Sequence, residues 1–174
     1  NVIYTSIDRI DGDNNKVILE DSKILNYDFL IIATGTQTKP DETPGLNEEL
    51  WYKNIFDFYT VEGAVALREF FKSWEGGHLV LNIAELPFKW PVAPLEFVFL
   101  ADAWFHEIGI RDKVEISYVT PLPGAFTKPQ ATKMLGELLD EKNIKVIPEF
   151  YIERVDNKNK KIISYDEQEI PFDV

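Results

Sequence analysis

From Val61 to Ile147 the hydrophobic pattern alternates between the helical and the strand period, and few folds accommodate that alternation. Val61, Val65, Leu67 and Phe71 fall near one stripe of a helix expected over 61–74, which Gly76-Gly77 ends. His78–Ile83 has the composition of a buried strand. Pro94–Ile108 predicts a helix with proline in its first turn, where the missing N–H does no harm, and Gly109 stops it. Val114–Val119 predicts a second strand, Pro121–Pro129 a rigid loop, Gln130–Lys142 a third helix and Lys145–Ile147 a third strand. Strand, helix, strand, helix, strand at these lengths predicts an α/β fold, a Rossmann-like parallel sheet of the βαβαβ type.

Antiparallel β-hairpins are expected to flank that unit. Val2–Ile10 reads as a strand, Asp11-Gly-Asp-Asn-Asn15 as a polar turn and Lys16–Glu20 as the returning strand, followed by an apolar strand at Phe29–Ile32. Near the other end, Phe150–Val155, the turn Asp156–Asn159 and Lys160–Tyr165 repeat the arrangement. Each hairpin feeds a segment that begins with an aromatic residue and aspartate, Tyr27-Asp28 in one and Phe172-Asp173 in the other. The first copy runs on into Ala33-Thr34-Gly35, whereas the second stops at Val174, and Asn1 is not an initiator methionine. The expectation is therefore a central piece of a longer protein, divided at 1–50, 51–149 and 150–174.

Charge removes one class of function. A net charge of −12, with the basic residues scattered, argues against nucleic acid, whose phosphates demand Lys and Arg. Lys158, Lys160 and Lys161 do cluster, as a solvated hairpin tip would. With no cysteine there is neither a disulfide framework nor a thiolate metal site, and His78 and His106 lack partners at metal-ligand spacing, so no metal is expected. The apolar runs fall far short of the roughly 20 residues that span a bilayer. Gly-x-Ser-x-Gly and the phosphate loop ending in Gly-Lys-Ser/Thr are both missing, which sets aside the common hydrolase and kinase chemistries.

Two segments carry the remaining signal. Tyr27-Asp-Phe-Leu-Ile-Ile-Ala-Thr-Gly35 is an apolar strand running into a turn whose glycine permits positive φ and lets a ligand approach bare backbone; Pro40 and Pro44-Gly45 stiffen the exit loop. In a dinucleotide-binding unit the first strand would run into a glycine-rich loop at a helix N-terminus. The loop here, Ala84–Ala93, contains no glycine. Its two prolines remove amide donors, Glu85 adds a repelling charge and Trp90 takes up volume, so NAD(P)H is not expected to bind there. Leu95, Phe97, Phe99, Leu100, Trp104 and Phe105 in the next helix read as core.

The run Tyr27, Asp28, Ala33, Thr34, Gly35, Pro40, Pro44, Gly45 resembles the Ala-Thr-Gly segment of the pyridine nucleotide-disulfide oxidoreductase superfamily, flavoproteins in which that segment touches FAD. Lys89-Trp-Pro-Val-Ala-Pro-Leu-Glu-Phe97 and Thr120-Pro-Leu-Pro-Gly-Ala-Phe126 are similar to the sulfide:quinone oxidoreductases, which lose the nicotinamide-binding glycines and carry a Lys-Cys-Pro-like element with a sulfur-shuttling cysteine. The resemblance covers the chain from about Asp28 to its final strand. It implies that 1–50 and 150–174 belong to an FAD-binding domain and 51–149 to a second Rossmann-like domain.

The resemblance also implies FAD in the full-length protein but not on this segment alone, with Ala33, Thr34, Gly35 and Pro94 as cofactor contacts. Trp90 stands at the cysteine position, where an indole cannot attack a disulfide or carry persulfide. Glu96 is the one candidate for proton chemistry, either as a buried carboxylate near flavin or as an acid that complements a helix dipole. The implied partners are flavin, a quinone, and sulfide or another small reductant. The implied location is cytoplasmic, at the membrane periphery in the full-length protein, and a homo-oligomer is compatible. The alternatives are an NAD(P)H-dependent reductase of the same superfamily and a Rossmann-like interaction module without catalysis.

Overall fold

Parallel strands cannot be joined by tight turns, so the helices that interrupt the alternation become crossovers. The computed structural model describes residues 2–174 and divides into two compact units, Asn1–Gln37 and Thr38–Val174. In the second unit β4 (Gly77–Asn82), β5 (Val114–Val119) and β6 (Ile144–Ile147) form a parallel sheet in that order. The crossovers are α2 (Ala93–Glu107) and α3 (Pro129–Glu141), and α1 (Val61–Phe71) precedes the sheet.

Strand periodicity decides which side chains meet which layer. Leu79 and Leu81 of β4 and Ile116 and Tyr118 of β5 join Leu95, Val98, Ala101 and Phe105 of α2 and Leu139 of α3 in one core. The alternate residues Val80 and Val119, with Ile147, face a second core. That core is supplied by β7 (Ile152–Asp156), β8 (Lys161–Ser164) and β9 (Glu169–Pro171), whose Ile152, Val155, Ile162 and Ile170 are buried there with Phe150 and Phe172. Residues 150–174 therefore lie within the second unit. Beyond β9 the chain comes alongside β4: Asp173 N and Val174 N donate to His78 O, and Val80 N donates to Val174 O at 2.8 Å, the pattern of a parallel neighbour.

The first unit holds β1 (Ile7–Asp11), β2 (Lys16–Leu19) and β3 (Ile24–Asn26), an antiparallel sheet in that order. It repeats β7–β9 register for register, each residue matching the one 145 positions later. Ile7↔Leu19 corresponds to Ile152↔Ser164, with the same irregularity after Ile7 and after Ile152. The turns match as well. Asp11 accepts from Asn14 as Asp156 does from Asn159, and Tyr27 N donates to Asn15 O as Phe172 N does to Lys160 O. The echo in the sequence is thus a structural repeat.

Three expectations change. Phe29–Ile32 is not a strand: where the second copy meets β4, the first has no ladder partner among the described residues, and an unpaired apolar run has no sheet to join. The stripe Val61, Val65 does not face the core either; both are exposed, and α1 packs through Gly63 and Leu67, with Phe71 and Trp74 against Phe105 at 5.2 and 5.5 Å between ring centres. Leu100 and Trp104 are exposed on α2 rather than in the core. Asn157 of the hairpin tip is tied down, donating to Gly45 O at 2.8 Å and accepting from Leu50 N at 3.2 Å.

Asp102 of α2, 1% exposed, is the buried charge of this unit. Arg111 Nε donates to one carboxylate oxygen at 2.7 Å and Lys142 Nζ to the other at 2.9 Å, while Arg111 also donates to the carbonyls of Val114, Lys142 and Asn143. Burial works to raise the Asp102 carboxyl, but the hydrogen bonds from Lys142 and Arg111 outweigh it and hold the group below its ordinary value. The folded pKa is the lower one, so this stabilisation is present above the unfolded value of 3.8 and is lost as the pH falls through the folded value. Asp102→Ala is expected to cost about 3–5 kcal/mol at neutral pH, because Arg111 is left buried without its charge partner. Urea melts of Asp102→Asn below pH 4 should show a shallower acid loss than the parent; equal acid slopes would remove Asp102 from the account.

Glycine substitutions give a second measurement. At Gly45, with φ of +81°, an added Cβ would stand 2.1 Å from Val155 O, whereas at Gly136 it would meet nothing within 4 Å. Gly45→Ala is expected to destabilise by more than about 2 kcal/mol, and Gly136→Ala, within α3, to stabilise by about 0.5–1 kcal/mol. Urea midpoints of the two variants should move in opposite directions.

Candidate functional site

The sequence singles out two groups of residues, and each lies in its own unit. Ala33, Thr34 and Gly35 are in the first unit, all exposed. Gly35 has φ of +75°, a conformation that side chains resist, and no atom lies within 4 Å of where a Cβ would be. The apolar run leading to it is equally uncovered, with Phe29 93% and Ile31 89% exposed. Pro44-Gly45, the end of the same motif, belongs to the second unit and is pinned to β7, Val155 N donating to Pro44 O at 2.8 Å. The spacing that looked like one motif thus spans two units.

In the second unit the loop between β4 and α2 carries Trp90, with Pro94 and Glu96 just beyond it. Pro94 is buried in the first turn of α2. Glu96 is in the same turn but exposed, where an acid complements the dipole of a helix N-terminus. The loop is anchored from both sides. Tyr59 Oη donates to Lys89 O at 2.5 Å, and Ala93 N donates to Trp90 O at 3.0 Å, while Phe88 packs on the main core. Trp90 itself has φ of +54° and is 63% exposed.

Tyr59 was missed by sequence reasoning, and so was the device that holds it. Asp57 Oδ1 accepts from the backbone N–H groups of Tyr59 and Thr60, its Oδ2 accepts from the hydroxyls of Tyr52 and Thr60, and Thr60 Oγ1 accepts from Gly63 N to cap α1. The readable signal was Asp57-x-x-Thr60 ahead of an apolar helix pattern. Burial raises the Tyr59 phenol above its ordinary value, and it raises Tyr118 further, with Tyr59 adding to the effect. Both phenols therefore remain donors through the neutral range.

The crevice at the carboxyl ends of the parallel strands, where such sheets bind nucleotides, is filled by the chain itself. After β5 the segment Thr120–Lys128 turns back, Tyr118 Oη donates to Ala125 O at 3.3 Å, and Ala125 and Phe126 pack on the same core as Phe88. No acid comes after β5 to take a ribose hydroxyl; Thr120-Pro121 stands there, with Thr120 buried and accepting from Leu122 N. No group of three or more His, Cys, Asp or Glu among the described residues could hold a metal ion. His78, half-buried, lies 2.8 Å from Ser117 Oγ, and His106 is exposed 3.7 Å from Asp102. NADH is expected to bind more weakly than about 1 mM, as read by quenching of tryptophan fluorescence. Micromolar affinity would refute this view of the crevice.

No family model matches the chain. Its curated relatives include the mitochondrial sulfide:quinone oxidoreductase of Dictyostelium discoideum, 26% identical over 133 residues, which are 76% of this chain and 29% of the relative. The mitochondrial sulfide:quinone oxidoreductase of Mus musculus is 26% identical over 144 residues, 83% of this chain and 32% of the relative. The chain thus spans about a third of the length of the curated relatives it matches. Among solved structures, the sulfide:quinone oxidoreductase from Aquifex aeolicus superposes with a TM-score of 0.73 at 22% identity, over 97% of this chain and 40% of that one. A ferredoxin reductase from Rhodopseudomonas palustris does so with a TM-score of 0.64 at 16% identity, over 99% and 39%. The chain thus shares its α/β fold, a parallel sheet with antiparallel hairpins, with parts of these oxidoreductases.

Proposed function

We propose that this chain, which is sulfide:quinone oxidoreductase-like in sequence and in fold, is the central part of an FAD-dependent oxidoreductase that passes electrons from a reduced donor to a quinone. The observation that carries the reading is the bare backbone at Gly35. A positive φ, open space in place of a side chain and an uncovered apolar approach suit a flat ring system laid against the main chain. Ala33, Thr34 and Gly35 fit FAD in that respect and would hold it, and bound FAD would supply the two-electron chemistry.

The chain's own residues define the rest. The glycine-free loop and the filled crevice disfavour NAD(P)H as donor, which leaves sulfide or another small reductant. Trp90 offers no thiol, so a sulfur-shuttling step cannot use this position. Glu96 is an exposed carboxylate beside the loop and a candidate to accept a proton. Pro94, buried in the first turn of α2, starts that helix and is proposed as a cofactor contact as well. No helix among the described residues is long and apolar enough to cross a membrane, and a quinone partner fits a full-length protein at the membrane periphery.

The chain contains no Gly-x-Gly-x-x-Gly to cradle a pyrophosphate, so the 174 residues alone are expected to be colourless after gel filtration with FAD; stoichiometric retained flavin would sink that expectation. The full-length protein is expected to carry FAD that sulfide or a related reductant bleaches and a quinone reoxidises, as monitored by stopped-flow absorbance. Bleaching by NADH instead would assign the reductase branch, and bound FAD that no donor reduces would assign an interaction module.

A further inference from the structure

Among the described residues, eight other than glycine have positive φ, and of these only Tyr52 and Trp90 are aromatic. Tyr52 is repaid for its strain. Its ring stacks on Trp51 at 4.8 Å, its hydroxyl reaches Asp57 and Thr60, and its N–H donates to Ile55 O at 2.7 Å. Trp90 has no aromatic partner and no side-chain hydrogen bond among the described residues, and it is 63% exposed. A bulky side chain in the left-handed region, displayed to solvent, adds strain without adding contacts to the fold. Meanwhile the backbone on either side is held, at Lys89 O by Tyr59 and at Trp90 O by Ala93. Folding alone gives no reason for the indole, whereas the pinned loop presents it as a fixed platform.

We infer that Trp90 is a stacking site for a planar, electron-poor ring, the chemistry shared by a quinone and an isoalloxazine. The indole is an electron-rich face, and offset stacking on an acceptor ring uses it fully. Leu86 is 40% exposed in the same loop, and Pro87 and Pro91, both exposed, have no backbone N–H to donate. Lys89, next to it and exposed, disfavours a cationic ligand and can donate to a ring carbonyl. The choice of ring rests on the flavoprotein reading of the proposed function. The platform itself rests only on the backbone and exposure of Trp90.

The test uses the 174-residue chain and the indole N–H resonance of Trp90, identified by its loss in Trp90→Phe. The chain is titrated separately with a water-soluble short-chain benzoquinone, with FMN and with tetramethylammonium; the lack of cysteine removes thiol addition to the quinone. Saturable shifts with quinone or FMN are expected, and which of the two acts identifies the source. Trp90→Gly should weaken that binding about tenfold or more, while its melting temperature stays level or rises, since glycine tolerates the conformation. Trp90→Phe should keep part of the affinity. No shift with either ring, shifts with tetramethylammonium alone, unchanged affinity in Trp90→Gly, or a melting point several degrees lower in that variant would each overturn the inference. None of these outcomes touches the flavin content or donor of the full-length protein, which test the flavoprotein reading independently.

Discussion

The second unit depends on one buried carboxylate. Asp102 survives at 1% exposure because Arg111 and Lys142 pair with it, and a charge in that setting without partners would be far too costly. Arg111 spends its remaining donors on the carbonyls of Val114, Lys142 and Asn143. One guanidinium therefore joins α2, the start of β5 and the turn between α3 and β6. These are the ends of the layer opposite the carboxyl edge of the sheet, so the loops at that edge, 83–92 and 120–128, are built on a base that is already fixed.

At the carboxyl edge the same architecture is used in an unusual way. Such sheets leave a crevice there for a nucleotide, framed by glycines and an amide-rich helix start. Here Phe88, Ala125 and Phe126 from the loops at that edge pack on the core, and two phenols tie those loops to the frame. In the second unit the indole of Trp90 is exposed beside that edge; in the first unit, taken by itself, the backbone of Ala33–Gly35 is exposed.

The repeat of β1–β3 in β7–β9 explains why so much of this was readable. Asx turns, alternating apolar residues and an aromatic-Asp exit recur 145 positions apart, Ile7 matching Ile152 and Asp28 matching Asp173, so each copy supports the assignment of the other. The two copies part company after that exit. Asp173 and Val174 find the edge of β4, while Phe29–Ile32 finds none among the described residues, and local sequence does not encode which edge is within reach. The stripe Val61, Val65 failed for a related reason: both residues have the right spacing, but Gly63 packs so closely on Asp57 that α1 turns another face inward.

Sequence by itself determined the order of elements, the parallel sheet, the hairpins and the absence of a phosphate cradle, because periodicity, proline and glycine act on the backbone locally. It also placed Trp90, Glu96 and Pro94 on one loop and helix. Only the tertiary structure decided that Pro94 is buried and Glu96 exposed, that Tyr59 holds the loop, that Asp102 anchors the sheet, and that Trp90 stands strained and uncovered. Those properties depend on which distant groups come within a few ångströms of one another, and residues such as Tyr59 and Lys89, thirty positions apart in the chain, carry no mark of that meeting in their identities.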